Sequence, residues 1–211
     1  IFFSLNVVAI QAFAFAGGLA AVAVVYFASS SVRGHDPILV LILTGVVIGT
    51  LLGSCIALLK YLADPYNQLP AITFWLLGGL ARVSAAEVGL ASIPIAVGLV
   101  ALALVRWQIN VLAMGDDDAL ALGVQASRVR VMTILATTLM AAAAVSISGI
   151  VGWVGLLIPH LARMLVGPRF EALLPVSFLM GAAYLLAVDD VVRMTERSDF
   201  RLTDLRAGKT T

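Results

Sequence analysis

Charged side chains are scarce in this sequence, and their scarcity excludes a class of protein. Only 12% of the 211 residues are Asp, Glu, Lys or Arg, whereas 62% are hydrophobic, and the mean hydropathy is +1.07. A soluble globular domain carries about 25% charged residues, so the composition indicates an integral membrane protein instead. The formal net charge of +1 supplies neither a basic surface for nucleic acid nor an excess of charge for an acidic substrate.

Cysteine is scarcer still, since the chain contains only Cys55, which lies inside an apolar run. One thiol cannot form a disulfide framework or a cysteine metal cluster within the chain, so we interpret Cys55 as a packing residue. The chain begins with Ile rather than Met, and its first apolar run is longer than the core of a signal peptide. We therefore expect residue 1 to be an internal boundary of a longer protein.

Long apolar runs are abundant. A helix needs about 20 apolar residues to cross a bilayer, and five uncharged runs reach or approach that length: Ile1–Val32, Ile38–Leu59, Val88–Val105, Val131–Pro159 and Ala172–Val188. These runs do not alternate polar and apolar residues as the strands of a membrane barrel do. The sequence therefore predicts an all-α fold, a bundle of transmembrane helices.

The fourth run is too long for one ordinary crossing, because its 29 residues would form a helix of about 43 Å. Glycines and a proline occupy its second half, and we predict a break near Ser148 and Gly149. The break gives six crossings. Leaving aside the tail after Asp189, six arginines then lie on one side of the membrane, and Lys60 and Arg82 lie on the other. The six are Arg33, Arg106, Arg128, Arg130, Arg163 and Arg169. Cytoplasmic loops collect Lys and Arg, so the loop over residues 106–130 is predicted to be cytoplasmic. One tilted helix is the alternative, and it divides the same residues four against four.

Two further segments have features of membrane packing. In residues 64–86, the turn residues Asp64, Pro65 and Pro70 precede a short segment with Phe74 and Trp75. Because aromatic side chains favour the membrane interface, we predict an external amphipathic segment that serves as an anchor or a gate. In the second run, glycines at four-residue spacing leave a smooth stripe against which another helix can pack; they are Gly45, Gly49 and Gly53.

Three consecutive aspartates, Asp116–Asp118, stand between two apolar runs. They follow Gly115 and precede ALAL and Gly123, a pattern that predicts a short helix with acids at its positive end and a glycine cap. We expect it to expose Leu120, Leu122 and Val124 beside the acids. Three interpretations remain open: a solvated helix start, a divalent cation site, and a contact helix for a cytosolic subunit. Consecutive aspartates cannot all face one ion, which disfavours the cation site.

Several of these stretches, taken in order, resemble one family. MGDDDALALGVQASRVRV is similar to the cytoplasmic coupling segment of the permease subunits of ABC importers for iron-siderophore, haem and cobalamin. SGIVGWVGLLIPHLARMLVGPRFEALLPVSFLMGAAYLLAVDDVVR resembles the most distinctive stretch of those permeases, WLLGGL their external helix, and LILTGVVIGTLLGS their glycine-striped helix. The similarity runs from about residue 5 to Arg193.

The resemblance implies a multi-pass permease of the bacterial or archaeal inner membrane, with about ten helices per chain. It implies a homodimer with two ATPase subunits inside and a periplasmic or lipid-anchored substrate-binding protein outside. The permease would need no cofactor and would not be an enzyme, because ATP is hydrolysed on the separate subunit. The cargo would be an iron-siderophore, haem or cobalamin type of chelate, with molybdate left open, carried by alternating access.

The resemblance also implies roles for individual residues. The helix that seats in the ATPase would comprise Gly115, Asp116, Asp117, Asp118, Ala119, Leu120, Leu122 and Gly123. The translocation pathway and inner gate would include His35, Asp36, Pro37, Gly45, Gly49 and Gly53. Structural roles are expected for Gly149, Gly152, Gly155, Pro159, His160, Arg163, Asp189 and Arg193, the last two as an i, i+4 pair at the membrane edge.

After Arg193 the sequence departs from the family pattern, which continues into a last crossing. Residues 194–211 are polar to the end, so we expect a partial permease domain over residues 1–193 followed by a non-native or disordered tail. The tail's TDLRAGKT approaches a phosphate-binding loop, but Thr203 replaces the first glycine and no strand precedes it, so nucleotide binding is not expected.

Two other functional classes remain as alternatives. An ion-coupled secondary transporter normally carries ionisable residues inside its spans, and these runs are almost free of them. A non-transporting membrane scaffold would fit a chain that lacks several of the family's helices. The ordered set of motifs favours the ATP-driven permease over both.

Overall fold

The regular structure is entirely helical in the part of the chain that the computed structural model describes, residues 7–32, 37–79, 83–150, 152 and 154–206. This confirms the predicted all-α fold. The helices are α1 (Val7–Ser30), α2 (Pro37–Leu62), α3 (Gln68–Leu77), α4 (Ala85–Leu104), α5 (Arg106–Leu112), α6 (Asp116–Ala121), α7 (Ala126–Ser148), α8 (Val154–Val166) and α9 (Phe170–Arg206).

Five of these helices are long and apolar enough to cross a membrane, namely α1, α2, α4, α7 and α9. The predicted break is confirmed, because α7 ends at Ser148 and Gly149 follows with a φ of +76°. The sixth predicted crossing is not a full-length helix. Since α8 has only 13 residues, it rises about 20 Å, against a hydrocarbon core of about 30 Å.

The helices fall into two units, of which the first contains α1, α2, α3, α4 and α7. Within it, α7 packs against α4 and α1, and α1 also contacts α2. The buried faces carry small residues, among them Ala136, Ala142 and Ala143 of α7 and Gly98 of α4. Small side chains let helix backbones approach closely, which is how helices associate where no water is present.

The C-terminal end of α3 rests on the C-terminal end of α7 through two glycines. A Cβ atom on Gly149 would lie 2.5 Å from Gly78 Cα and 2.7 Å from the carbonyl oxygen of Trp75, and one on Gly78 would collide with the Ser148 carbonyl oxygen. Both glycines have positive φ, +68° at Gly78 and +76° at Gly149. The predicted external segment thus contains a ten-residue helix fixed at one end by backbone contact.

The start of α4 is fixed by a capping box. Ser84 Oγ accepts a hydrogen bond from the Glu87 backbone N–H at 3.3 Å, and Glu87 Oε2 accepts one from the Ser84 backbone N–H at 2.7 Å. The other carboxylate oxygen accepts a hydrogen bond from Gln11 Nε2 of α1 at 2.5 Å. This capping places the start of α4 at Ala85, before the apolar run that begins at Val88.

The second unit contains α5, α6, α8 and α9. In it α8 packs against α9, and α5 contacts both α6 and α9. Ile158 and Ala162 of α8 are buried, and a Cβ atom on Gly181 of α9 would lie 3.8 Å from Ile158 Cγ2.

The backbone of the polar tail is helical as far as Arg206, because α9 runs without interruption from Phe170 to that residue. Charged residues end an apolar run, but they do not end a helix, and no Gly or Pro occurs between Met194 and Arg206. Residues 207–211 lie outside the described residues.

Candidate functional site

The acidic segment forms the predicted short helix, α6. Gly115 precedes it with φ +128° and ψ 161°, and the Gly115 carbonyl oxygen accepts the first helical hydrogen bond, from the Ala119 N–H at 3.0 Å. All three aspartates lie in the first turn and are exposed. Negative charge at this end of a helix is favourable, because the unpaired N–H groups there carry partial positive charge.

A Schellman motif ends α6, which confirms the predicted glycine cap. Gly123 has φ +77°, its N–H donates to the Leu120 carbonyl oxygen at 3.0 Å, and the Val124 N–H donates to the Ala119 carbonyl oxygen at 2.8 Å. Such a motif brings the residue after the glycine against the third residue from the helix end. Accordingly Ala119 is fully buried and Val124 is 5% exposed.

The burial of Val124 corrects one prediction about the outward surface of α6. Val124 was expected to be exposed beside the acids, but the Schellman geometry turns it inward. Ala119 belongs to this helix and faces inward, with no exposed surface. Leu120 and Leu122 do face outward, with 70% and 54% of their surface exposed. The outward surface therefore consists of two leucines beside a patch of carboxylates.

Helix α5 connects this segment to the first turn of α9. Asn110 Oδ1 accepts a hydrogen bond from the Phe170 backbone N–H at 2.8 Å, across 60 positions of sequence. Four residues earlier on α5, Arg106 Nε lies 3.5 Å from Glu171 Oε1, with both side chains more than half exposed. A partly buried hydrogen bond and an exposed ion pair thus join the two helices.

The predicted pathway residues are only partly described. His35 and Asp36 lie outside the described residues, and Pro37 begins α2. On α2, a Cβ atom on Gly45 would lie 3.9 Å from Val25 Cγ1 of α1, whereas one on Gly49 or Gly53 would meet nothing within 4 Å. The stripe is therefore packed at one end and open along the rest, as far as the described residues extend.

The residues expected to be structural are accounted for in part. Arg193 Nε donates to Asp189 Oδ2 at 2.6 Å, which confirms the i, i+4 pair. Pro159 lies inside α8, where His160 is exposed, and exposed Arg163 lies in the last turn. A Cβ atom on Gly152 or Gly155 would meet nothing within 4 Å. The described residues contain no group of three or more His, Cys, Asp or Glu side chains that could hold a metal ion.

A profile of the FecCD transport family matches residues 1–201 of the 211-residue chain. The chain belongs to the FecCD transport family. This confirms the resemblance in the sequence motifs, and with five candidate spans the chain is a multi-pass membrane protein.

Individual FecCD relatives are similar over most of this chain. The molybdate import system permease protein MolB of Haemophilus influenzae is 37% identical over 170 residues, 81% of this chain and 50% of its own length. The cobalamin import system permease protein BtuC of Halobacterium salinarum is 38% identical over 192 residues, 91% of this chain and 51% of its own. The chain thus spans about half the length of these relatives.

The fold is similar to that of a solved transporter. A metal-chelate type ABC transporter in an inward-facing conformation superposes with a TM-score of 0.76 at 33% sequence identity. The match covers 90% of this chain and 67% of the solved one. The all-helical FecCD architecture therefore extends over nearly the whole of this chain.

The sequence gives no signal for the contacts that hold α5 against α9 in this FecCD chain. Asn110 and Phe170 are 60 positions apart, and no local pattern relates them. The capping box of α4 did leave a signal, because Ser84 and Glu87 have the Ser-x-x-Glu spacing. That spacing predicts a helix start at Ala85, three residues before the apolar run.

Proposed function

We propose that the chain forms the membrane-spanning permease of an ATP-driven importer, in the inner membrane of a bacterium or archaeon. Its cargo would be a metal-containing complex of the iron-chelate, haem, cobalamin or molybdate type. Family membership supports this proposal, as do relatives described as permeases of molybdate, cobalamin and hemin systems. ATP hydrolysis would take place on a separate subunit, and a binding protein outside the cell membrane would deliver the cargo.

The observation that carries the proposal is the outward surface of α6. Leu120 and Leu122 expose apolar surface beside three carboxylates. The helix that carries them begins after Gly115 and ends before Gly123, and both glycines have positive φ. Two exposed leucines favour burial against another protein, and the acids keep the surface soluble before assembly. A rigid helix of this kind can transmit the closure of a docked ATPase to the helices behind it.

Introducing charge at the two leucines of this surface tests the proposal. We expect Leu120→Asp with Leu122→Asp, in the full-length gene product, to lower the amount of ATPase subunit that co-purifies by tenfold or more. Each leucine that is no longer buried removes about 1.5–3 kcal/mol of binding free energy. Each new carboxylate would in addition be buried in the interface at a cost. Tyr66→Asp is the control, because Tyr66 is 87% exposed in the predicted external segment. Full retention of the ATPase by the double variant would contradict the proposal.

A further inference from the structure

The first turn of α9 is capped by a side chain of another helix. The Arg169 carbonyl oxygen accepts the first helical hydrogen bonds, from the N–H groups of Ala172 and Leu173 at 3.2 and 3.0 Å. Arg169 is therefore the N-terminal cap residue of α9. An arginine side chain has donors only, so it cannot accept a hydrogen bond from the unpaired N–H groups of the first turn.

Asn110 supplies the missing acceptor from α5. Its Oδ1 lies 2.8 Å from the Phe170 nitrogen, the first helical residue of α9, and the contact is partly buried. Asparagine is among the best helix caps because its short side chain carries a carbonyl oxygen. Here the cap is provided by a different helix, so the position of α9 depends on the position of α5.

Helix α5 stands between α6, the helix proposed to dock on the ATPase, and α9, a candidate membrane span. Only Ala113, Met114 and Gly115 separate α5 from α6, and α5 contacts both α6 and α9. We infer that Asn110 is a positioning residue of the transport cycle, which transmits the displacement of α6 to the start of α9. This inference rests on the proposed function, because it requires an ATPase that moves α6.

The test measures whether α9 responds to ATP when the cap is absent. The full-length gene product is assembled with its ATPase subunit, and amide hydrogen exchange over residues 174–180 is compared with and without ATP and vanadate. We expect a nucleotide-dependent difference in the unmodified protein and a difference at least threefold smaller in Asn110→Ala, because the first turn of α9 is then no longer hydrogen-bonded to α5. Asn110→Asp keeps an acceptor at this position and should retain the difference.

A second variant removes the same bond from the other side. Phe170→Pro deletes the donor at the first helical position, where proline is well tolerated, and leaves α5 unchanged. It should reduce the nucleotide-dependent difference as Asn110→Ala does. Arg106→Ala is the matched control, because it breaks the exposed ion pair between the same two helices and such pairs contribute little. It should behave as the unmodified protein.

The outcomes separate this inference from the proposed function. A merely structural role for Asn110 would change exchange equally in both nucleotide states and leave the difference intact, which would overturn the inference. Loss of the bound ATPase in Asn110→Ala would also overturn it, since the residue would then support docking rather than transmission. In either case the proposed function would stand if Leu120→Asp with Leu122→Asp still released the ATPase from the otherwise unmodified protein.

Discussion

Gly98 is the residue at which α4 and α7 approach most closely among the described glycines of these helices. A Cβ atom there would collide with Met140 Cγ and would lie 2.9 Å from the Ala136 carbonyl oxygen. The methionine side chain can move, but the carbonyl oxygen belongs to the backbone of α7. We therefore expect Gly98→Ala to lower stability by about 1–3 kcal/mol, as overpacking generally does. Thermal unfolding of the detergent-purified protein measures the change.

Gly89 on the same helix is the control for this substitution. A Cβ atom at Gly89 would meet nothing within 4 Å, so Gly89→Ala should be neutral or stabilise the helix by about 0.5–1 kcal/mol. If Gly98→Ala and Gly89→Ala unfold at the same temperature, the close contact between α4 and α7 is not present in the folded protein.

Individual residues were predictable where their role depends on near neighbours. Gly123 as a cap and Asp189 with Arg193 as an i, i+4 pair follow from spacing alone, and the structure bears out both. The predicted exposure of Val124 was wrong because the Schellman motif folds the residue after the glycine back onto the helix. The hydrogen bond between Asn110 and the Phe170 N–H could not be predicted from the sequence, because the two residues are 60 positions apart.

At the scale of elements, the attachment of α3 to the end of α7 is a backbone contact that tolerates no side chain. Gly78 has φ +68°, and a Cβ atom there would collide with the Ser148 carbonyl oxygen and lie 3.3 Å from Gly149 Cα. We expect Gly78→Ala to release α3 from α7, because the substitution adds both a clash and the cost of a left-handed alanine. Faster amide exchange over Gln68–Leu77 would report the release.

The adjacent glycine offers a matched control for α3. A Cβ atom on Gly79 would meet nothing within 4 Å, so Gly79→Ala should leave exchange over Gln68–Leu77 unchanged. Equal protection of α3 in Gly78→Ala and Gly79→Ala would mean that α3 is held by contacts other than the paired glycines.

Helices were predictable as runs but not at their ends. Each predicted run corresponds to one candidate span, because about 20 apolar residues suffice to identify a crossing. The third apolar run begins at Val88, directly after Glu87, yet Glu87 already belongs to α4 and its carboxylate caps the helix. The charged residues after Val188 ended the fifth run in the same way, whereas α9 continues without a helix breaker. A charged residue therefore ends an apolar run in the sequence, but it does not end a helix.

For the whole molecule, the length of α8 bears on the number of crossings. The 23 residues of α7 rise about 34 Å, enough to carry the chain from the predicted cytoplasmic side to the opposite face. The start of α9 is hydrogen-bonded to α5, which directly precedes α6 in the loop that is predicted to be cytoplasmic. Residues 149–169 must then return across the membrane, although α8 supplies only about 20 Å of that distance.

We therefore predict that α8 crosses together with the residues before it, since the five residues between α7 and α8 can add up to about 16 Å of extended chain. In a Cys55→Ser background, an impermeant thiol reagent should label Gly152→Cys from outside the cell, and should label Pro168→Cys and Asp117→Cys only in inside-out vesicles. Cys55 is replaced because its thiol is exposed. Labelling of both Gly152→Cys and Pro168→Cys from outside the cell would show that this segment enters and leaves the membrane on the outer face. The start of α9 would then lie on the opposite side of the membrane from Asp117, which the hydrogen bond between Asn110 and Phe170 does not permit.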